Sequence, residues 1–191
     1  MKTLYIDTHL FDIDIILFED DKIIKREIVK DKKYNSTYLM PTIMKVCPNK
    51  DFDEIIVVNG PGSFTGVRLG ITIAKTLAYT LNKVIKPVSY FDMQNYSLES
   101  SNHILSMNDG NGYFIAEYEN HKLIKPLYYL SNKDYSEFAK NKDIKTDVSI
   151  DFAKVLLHLK NVSGVNPHSV KPLYIKLIGV EQWFVKQLIV I

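Results

Sequence analysis

The chain has 191 residues, 46% of them hydrophobic, enough to bury a substantial core in one domain or two small lobes. Lys and Arg number 24 against 22 Asp and Glu, and a net charge of +2 argues against a strong electrostatic nucleic-acid binder. The single cysteine, Cys47, rules out a disulfide framework and a cysteine metal cluster, and no uncharged apolar run approaches the roughly 18 residues of a membrane span.

Thr3 to Asp7 reads as a first strand and Ile13 to Phe18 as a second. Asp20-Asp21 then makes a turn and Lys22 to Val29 a third strand, so the chain opens antiparallel. A charge follows the start after too few apolar residues for a signal peptide, and a cytoplasmic location is expected. Ser36 to Val46 has helical periodicity with Pro41 inside it, where a missing N–H should bend the helix. Glu54 to Val58 is a fourth strand, Ser63 to Leu81 a long helix, and Val84 to Val88 a short strand. Ser89 can cap a helix running to about Leu98. The element order over this first half is βββαβαβα.

A second set of elements follows. His103 to Met107 is a strand, Asn108-Asp-Gly-Asn-Gly112 a strong turn, and Tyr113 to Tyr118 a strand that pairs back. Asn120-His121 is another turn, and Leu123 to Leu130 a third strand. Ser131 caps a helix through about Lys140, Asp151 to Lys160 is a leucine-rich helix, and a last helix is expected after Gly179. Three antiparallel strands and then helices make this half a reduced copy of the first in element order, without a sequence repeat.

The stretch from Asn59 to Gly70 holds Gly60, Gly62, Gly66 and Gly70, half of the eight glycines. It joins a strand to a helix, the usual place for a phosphate cradle. It fits no P-loop, because no Gly-Lys-Ser/Thr follows, and no dinucleotide fingerprint, because Thr65 stands where the third glycine belongs. Nor is it a nucleophile elbow, since Phe64 occupies the centre and Ser63 is off by one. Gly60, Pro61 and Gly62 are therefore read as a structural turn, and Ser63 as the N-cap of the helix. Gly66, Gly70, Ala74 and Ala78 fall at four-residue steps on one helix face. Two glycines inside a helix cost about 1 kcal/mol each relative to alanine, and close approach of another backbone is the usual compensation. Val67 and Ile71 flank this row, while Leu69, Ile73, Leu77 and Leu81 form a second apolar face suited to a sheet.

Chemistry-bearing residues are few. Asp7-Thr8 could orient a phosphate or a metal, or cap its own turn. The histidines His9, His103, His121, His158 and His168 include no pair at zinc-binding helical spacing. Arg68 could pair with a carboxylate across an interface. An actin-like ATPase or a glycoprotease-like hydrolase using Asp7, Ser63 or Asp109 is the alternative function, with direct RNA binding disfavoured by the charge.

Ile6-Asp7-Thr8, the run Gly60-Pro-Gly-Ser-Phe-Thr-Gly-Val-Arg-Leu-Gly70, Ala74-Lys-Thr-Leu-Ala78 and Pro172-Leu-Tyr-Ile-Lys176 together resemble the TsaB (YeaZ) family. The resemblance implies an α/β, two-lobed fold of the actin, Hsp70 and sugar-kinase (ribonuclease H-like) type with a shortened second lobe. Residues 1–100 would form the N-terminal lobe with its dimerisation helices, and 101–191 the reduced C-terminal lobe. It implies a non-catalytic subunit that binds and activates TsaD in threonylcarbamoylation of the adenosine next to the tRNA anticodon, with TsaE as a further partner. It also implies a homodimer when alone and tRNA contact only through the complex. No metal or cofactor is expected on this chain by itself, which leaves the joint interface with TsaD as a place for ATP or ADP. The expected interface residues are Ser36, Tyr38, Leu39 and Ile43 on one helix and Gly66, Val67, Gly70, Ile71, Ala74 and Ala78 on the other. On that reading Gly70→Leu leaves the monomer folded and abolishes the complex. The chain departs from the family pattern at Asn35, where His is usual, and at Met107-Asn108-Asp109-Gly110, which lacks an arginine.

Overall fold

The structure is a computed structural model that describes residues 1–30 and 35–175. The expected last helix after Gly179, and Lys176 of the final motif, lie outside the described residues. The first elements are β1 (Lys2–Asp7), β2 (Ile13–Glu19), β3 (Lys22–Val29), α1 (Asn35–Val46), β4 (Glu54–Val58), α2 (Phe64–Thr80), β5 (Val84–Val88) and α3 (Tyr90–Ser97). They keep the expected βββαβαβα order. There follow β6 (His103–Asn108), β7 (Gly112–Glu119), β8 (Lys122–Leu123), β9 (Tyr128–Ser131), α4 (Asn132–Phe138), β10 (Ile144–Thr146) and α5 (Phe152–Lys160). A 3-10 turn at Pro167–Ser169 comes last.

The chain divides into two units. The first comprises Met1–Glu99 and Val148–Leu173, and the second is built on Ser100–Asp147. This corrects the division expected at residue 100. The chain returns to the first unit because α5 presents Val155, Leu156 and Leu159, which complete that unit's second core. The Asp151 N–H also donates to Ser97 Oγ at 2.9 Å.

The first unit's sheet runs in the order β3-β2-β1-β4-β5, antiparallel across β3, β2 and β1 and parallel across β1, β4 and β5. Asp20 and Asp21 both take positive φ, as a tight hairpin with right-handed strand twist requires. Because side chains alternate across a strand, the sheet has two apolar faces. Leu4, Ile6, Ile15, Ile55 and Val57 pack with Leu39 and Ile43 of α1 and with Val67, Ile71 and Ala74 of α2. Tyr5, Ile16, Phe18, Ile56 and Val58 pack with Met93 of α3 and with α5. Pro41 is accommodated within α1.

The second unit's sheet runs β10-β6-β7-β8, with β9 also paired to β7. The strand expected over Leu123–Leu130 is broken into β8 and β9, and Pro126, which has no N–H for a ladder, lies in the gap. The three-residue β10, too short to show periodicity, runs parallel to β6. Ser131 caps α4 through Asp134 N–H, and the helix stops at Phe138 rather than Lys140.

A buried ion pair ties β5 to β4 and α5. Lys86 Nζ lies 2.8 Å from Glu54 Oε2 and donates to the Leu159 carbonyl at 3.1 Å, while Thr3 donates to Glu54 Oε1 at 3.0 Å. Both side chains are under a tenth exposed. Removing one member leaves a buried charge unpaired, which costs about 3–5 kcal/mol, whereas an apolar replacement of both is close to neutral. Urea denaturation should therefore show Lys86→Met far less stable than the double variant Glu54→Leu/Lys86→Met.

Candidate functional site

The site grows from the C-terminal end of β1. Asp7 is the last β1 residue, and the chain then folds back over the first turns of α2. His9 carbonyl accepts from Ser63 N–H at 2.6 Å, and Thr8 Oγ1 donates to the Gly66 carbonyl at 2.7 Å. A Cβ on Gly66 would fall inside the contact radius of the Thr8 carbonyl oxygen, and one on Gly62 would collide with the His9 carbonyl. At Gly70 it would meet Thr8 Oγ1. Gly60 sits at φ +114, and the Gly60–Pro61 peptide is cis. Ser63 Oγ accepts from Gly66 N–H at 3.3 Å as the α2 cap. Gly62, Gly66 and Gly70 are thus explained by the chain's own β1–β2 loop, and Gly60 by its backbone conformation.

That contact corrects the expected interface. Leu39, Ile43, Gly66, Val67, Gly70, Ile71, Ala74 and Ala78 are all buried within the chain. Only Ser36 and Tyr38 of the ten are exposed. The small-residue row of α2 lies inward, against Thr8 and the sheet core, with Leu77 buried beside it. Leu69 and Ile73, expected on the sheet, are only partly buried. The outward side of α2 carries Phe64, Thr65, Arg68, Thr72 and Thr76, and that of α1 carries Tyr38 with half-buried Met40 and Met44. Arg68 lies over the Phe64 ring at 3.6 Å.

On the other face of β1, polar groups converge. Asp7 Oδ1 accepts from His9 N–H at 2.9 Å and lies 2.6 Å from His9 Nδ1, and Tyr5 hydroxyl donates to Asp7 Oδ2 at 3.0 Å. Arg26 of β3 grips Asp14 of β2 with two bonds, Nε–Oδ1 at 3.0 Å and Nη2–Oδ2 at 2.7 Å. Burial pushes the Asp7 carboxyl up, but His9 and the Tyr5 hydroxyl outweigh it and hold the carboxyl below its ordinary 3.8. Burial pushes Asp14 up despite Arg26, and burial followed by the Asp7 charge holds the Tyr5 hydroxyl well above its usual value. These residues line a cavity of about 410 Å³, closed on its other side by Tyr90, Ser149, Ile150 and Phe152. The sequence flagged Asp7 alone. Tyr5, Asp14 and Arg26 stand at strand positions that the alternation of β1, β2 and β3 places on this face, a signal available but not used.

Among the described residues no three His, Cys, Asp or Glu side chains are grouped to hold a metal. No helix among them is long and apolar enough to cross a membrane. Asp109 accepts from Asn111 N–H at 3.0 Å and from the Tyr129 hydroxyl at 2.7 Å within the β6–β7 turn region.

A family model described as "TsaD: tRNA N6-adenosine threonylcarbamoyltransferase" matches residues 36–171. The tRNA threonylcarbamoyladenosine biosynthesis protein TsaB of Bacillus subtilis (strain 168) is 39% identical over 94 residues. Those residues are 47% of this chain and 41% of that protein, so the chain matches less than half of the relative's length. The chain belongs to the TsaB (YeaZ) family. YeaZ from Pseudomonas aeruginosa shares the fold, with a TM-score of 0.68, 15% identity, and 91% of this chain and 99% of that chain covered. A further Pseudomonas aeruginosa protein, described as similar to peptidase YEAZ, gives a TM-score of 0.69 at 14% identity, covering 92% of this chain and 99% of that chain. The fold class implied by the TsaB resemblance is therefore the one found.

For this TsaB-family chain, Gly70→Leu is now expected to destabilise the folded monomer itself, since the added side chain meets Thr8 and overpacking costs about 1–3 kcal/mol. A melting temperature unchanged from wild type would contradict the loop–helix contact. The Asp7 carboxyl is held below its unfolded value, so its stabilising contribution is present above about pH 4 and is lost as pH falls through the folded value. Chemical denaturation of Asp7→Asn and wild type should differ most at neutral pH and converge below pH 4.

Proposed function

We propose that the chain is a non-catalytic partner subunit in threonylcarbamoylation of tRNA, binding and activating a TsaD-type transferase. The relative's role in tRNA threonylcarbamoyladenosine biosynthesis supports this reading. The observation that carries it is the outward face of α1 and α2. Met40, Met44, Leu69 and Ile73 are half-buried there among exposed Tyr38, Phe64 and threonines. Thr76 hydroxyl donates to the Thr72 carbonyl at 2.9 Å and Thr80 to the Thr76 carbonyl at 2.7 Å. With their hydroxyls satisfied inside the helix, these threonines offer methyl groups to a neighbour. Short, internally satisfied side chains let a second helix approach closely. The close approach assigned to the glycine row on sequence grounds is better served by this threonine side.

In this reading the same face also forms the homodimer when the chain is alone, TsaE joins the assembly, and tRNA is met through the complex. ATP or ADP belongs to the joint interface with TsaD. The catalytic alternative finds less support, because Asp7, Ser63 and Asp109 are each engaged in bonds within the chain.

Thr72→Arg and Thr76→Arg lie at exposed positions of α2 and should fold normally. Each should weaken binding to the cognate TsaD-type protein by about tenfold or more in surface plasmon resonance, and lower tRNA modification in a reconstituted assay in parallel. Binding and modification unchanged by both variants would remove this face from the interface, and no binding by the wild-type chain would sink the partner reading itself.

A further inference from the structure

The two edges of the first unit's sheet are finished differently. At β5, Val165 N–H donates to the Ile85 carbonyl at 2.9 Å and Gly164 is pressed against Val84, so the chain covers that edge itself. At the other edge stands β3, and among the described residues it pairs with β2 alone. An edge strand offers its outer row of N–H and C=O groups to a second strand. β3 also exposes three isoleucines, Ile23 at 48%, Ile24 at 49% and Ile28 at 44%. Ile24 is the extra residue of a bulge, and from Lys25 to Val29 the register is regular. Ile23 lies opposite Phe18 and Ile28 opposite Asp14, on the sheet face where Phe152 packs beside Phe18. A strand added along β3 would cover both of these side chains and the main-chain edge together.

The charges along β3 select what that strand can be. Arg26 is held by Asp14, and Glu27 by Lys45. Among the described residues Lys22, Lys25 and Lys30 have no carboxylate within ion-pair distance, and Lys25 donates instead to the Lys45 carbonyl at 2.5 Å. A second copy of the chain is a poor occupant. Antiparallel pairing about a two-fold axis sets one residue against its own copy. Centred on the regular stretch, it opposes Lys25, Arg26 or Glu27 to itself, or, on Ile28, Arg26 to Lys30. The lysines that repel a second copy attract a strand of opposite charge.

We propose that β3 is a docking strand for an extended, acidic segment of a partner protein, which joins the sheet edge through main-chain hydrogen bonds. Its β-branched side chains lie along Ile23 and Ile28, and its carboxylates meet Lys22, Lys25 and Lys30. This surface is separate from the outward side of α2, and the proposal does not depend on the partner bound there.

The test titrates the full chain with the blocked peptide acetyl-Glu-Val-Thr-Val-Thr-Val-Glu-amide and follows the backbone amides by NMR. Saturable shifts and slowed hydrogen exchange are expected over Ile23–Val29. The counterpart acetyl-Lys-Val-Thr-Val-Thr-Val-Lys-amide should bind about fivefold more weakly or worse. The double variant Lys22→Gln/Lys30→Gln, at two exposed positions, should fold as wild type and bind the acidic peptide about fivefold more weakly. The proposal is overturned if the acidic peptide does not saturate, if its shifts fall outside β3, or if the two peptides bind alike. Unchanged affinity in the double variant overturns it too. So does protection of the β3 amides that appears without peptide and fades on dilution, which makes the occupant a second copy. Stronger shifts of the same amides by bulk tRNA make it a nucleic acid instead.

Discussion

The seating of the Thr8–His9 loop on the first turns of α2 is the contact on which the rest of the first unit depends. The contact surface on the helix side is the backbone itself, so no side chain can be interposed at Gly62, Gly66 or Gly70. Two hydrogen bonds, from Ser63 N–H to the His9 carbonyl and from Thr8 Oγ1 to the Gly66 carbonyl, fix its register. Once α2 is pinned in rotation, Val67, Ile71 and Ala74 must face the sheet, and Arg68, Thr72 and Thr76 must face away. The glycine penalty that a long helix carries is offset inside one chain, by burial of its own loop.

The same seating decides the chemistry nearby. It turns the His9 ring toward Asp7 and lays it beside Tyr90, while Tyr5 and Asp14 arrive on the same sheet face by strand alternation. Two of the amide groups that a strand-turn-helix junction ordinarily offers to an anion, Ser63 and Gly66 N–H, are spent on the loop and the cap. The cavity around the end of β1 is lined by the Asp7–His9 and Asp14–Arg26 pairs and by the rings of Tyr90 and Phe152.

Much of the fold was legible from residue pattern. Val84–Val88 falls at the expected positions, and the caps expected at Ser63, Ser89 and Ser131 all form. These signals are local, and local hydrogen-bond chemistry determines them. The orientation of α2 was not legible, because two of its sides are apolar or small and periodicity cannot say which meets the sheet. That choice was made by Thr8, fifty-eight residues from Gly66 along the chain. The β10 strand and the return of α5 were missed for the same reason. Three residues of strand carry no period, and the leucine face of α5 does not name the sheet it covers. Of the candidate site, Asp7 stood out by its place at a strand end, whereas its neighbours became a group only through cross-strand register.

The chain leaves the first unit after Glu99 and returns to it at Val148, so the first unit is built from two separated stretches of sequence. The sheet formed by β1 to β5 has one of its two faces covered by α5, and Leu173 N–H is bonded to the Asn59 carbonyl at 2.8 Å beside the glycine turn. During synthesis from the N-terminus, the first unit must wait with an apolar face uncovered while residues 100–147 are made. The core of the lobe that begins the chain is therefore closed only after the whole stretch from Ser100 to Asp147 has been made.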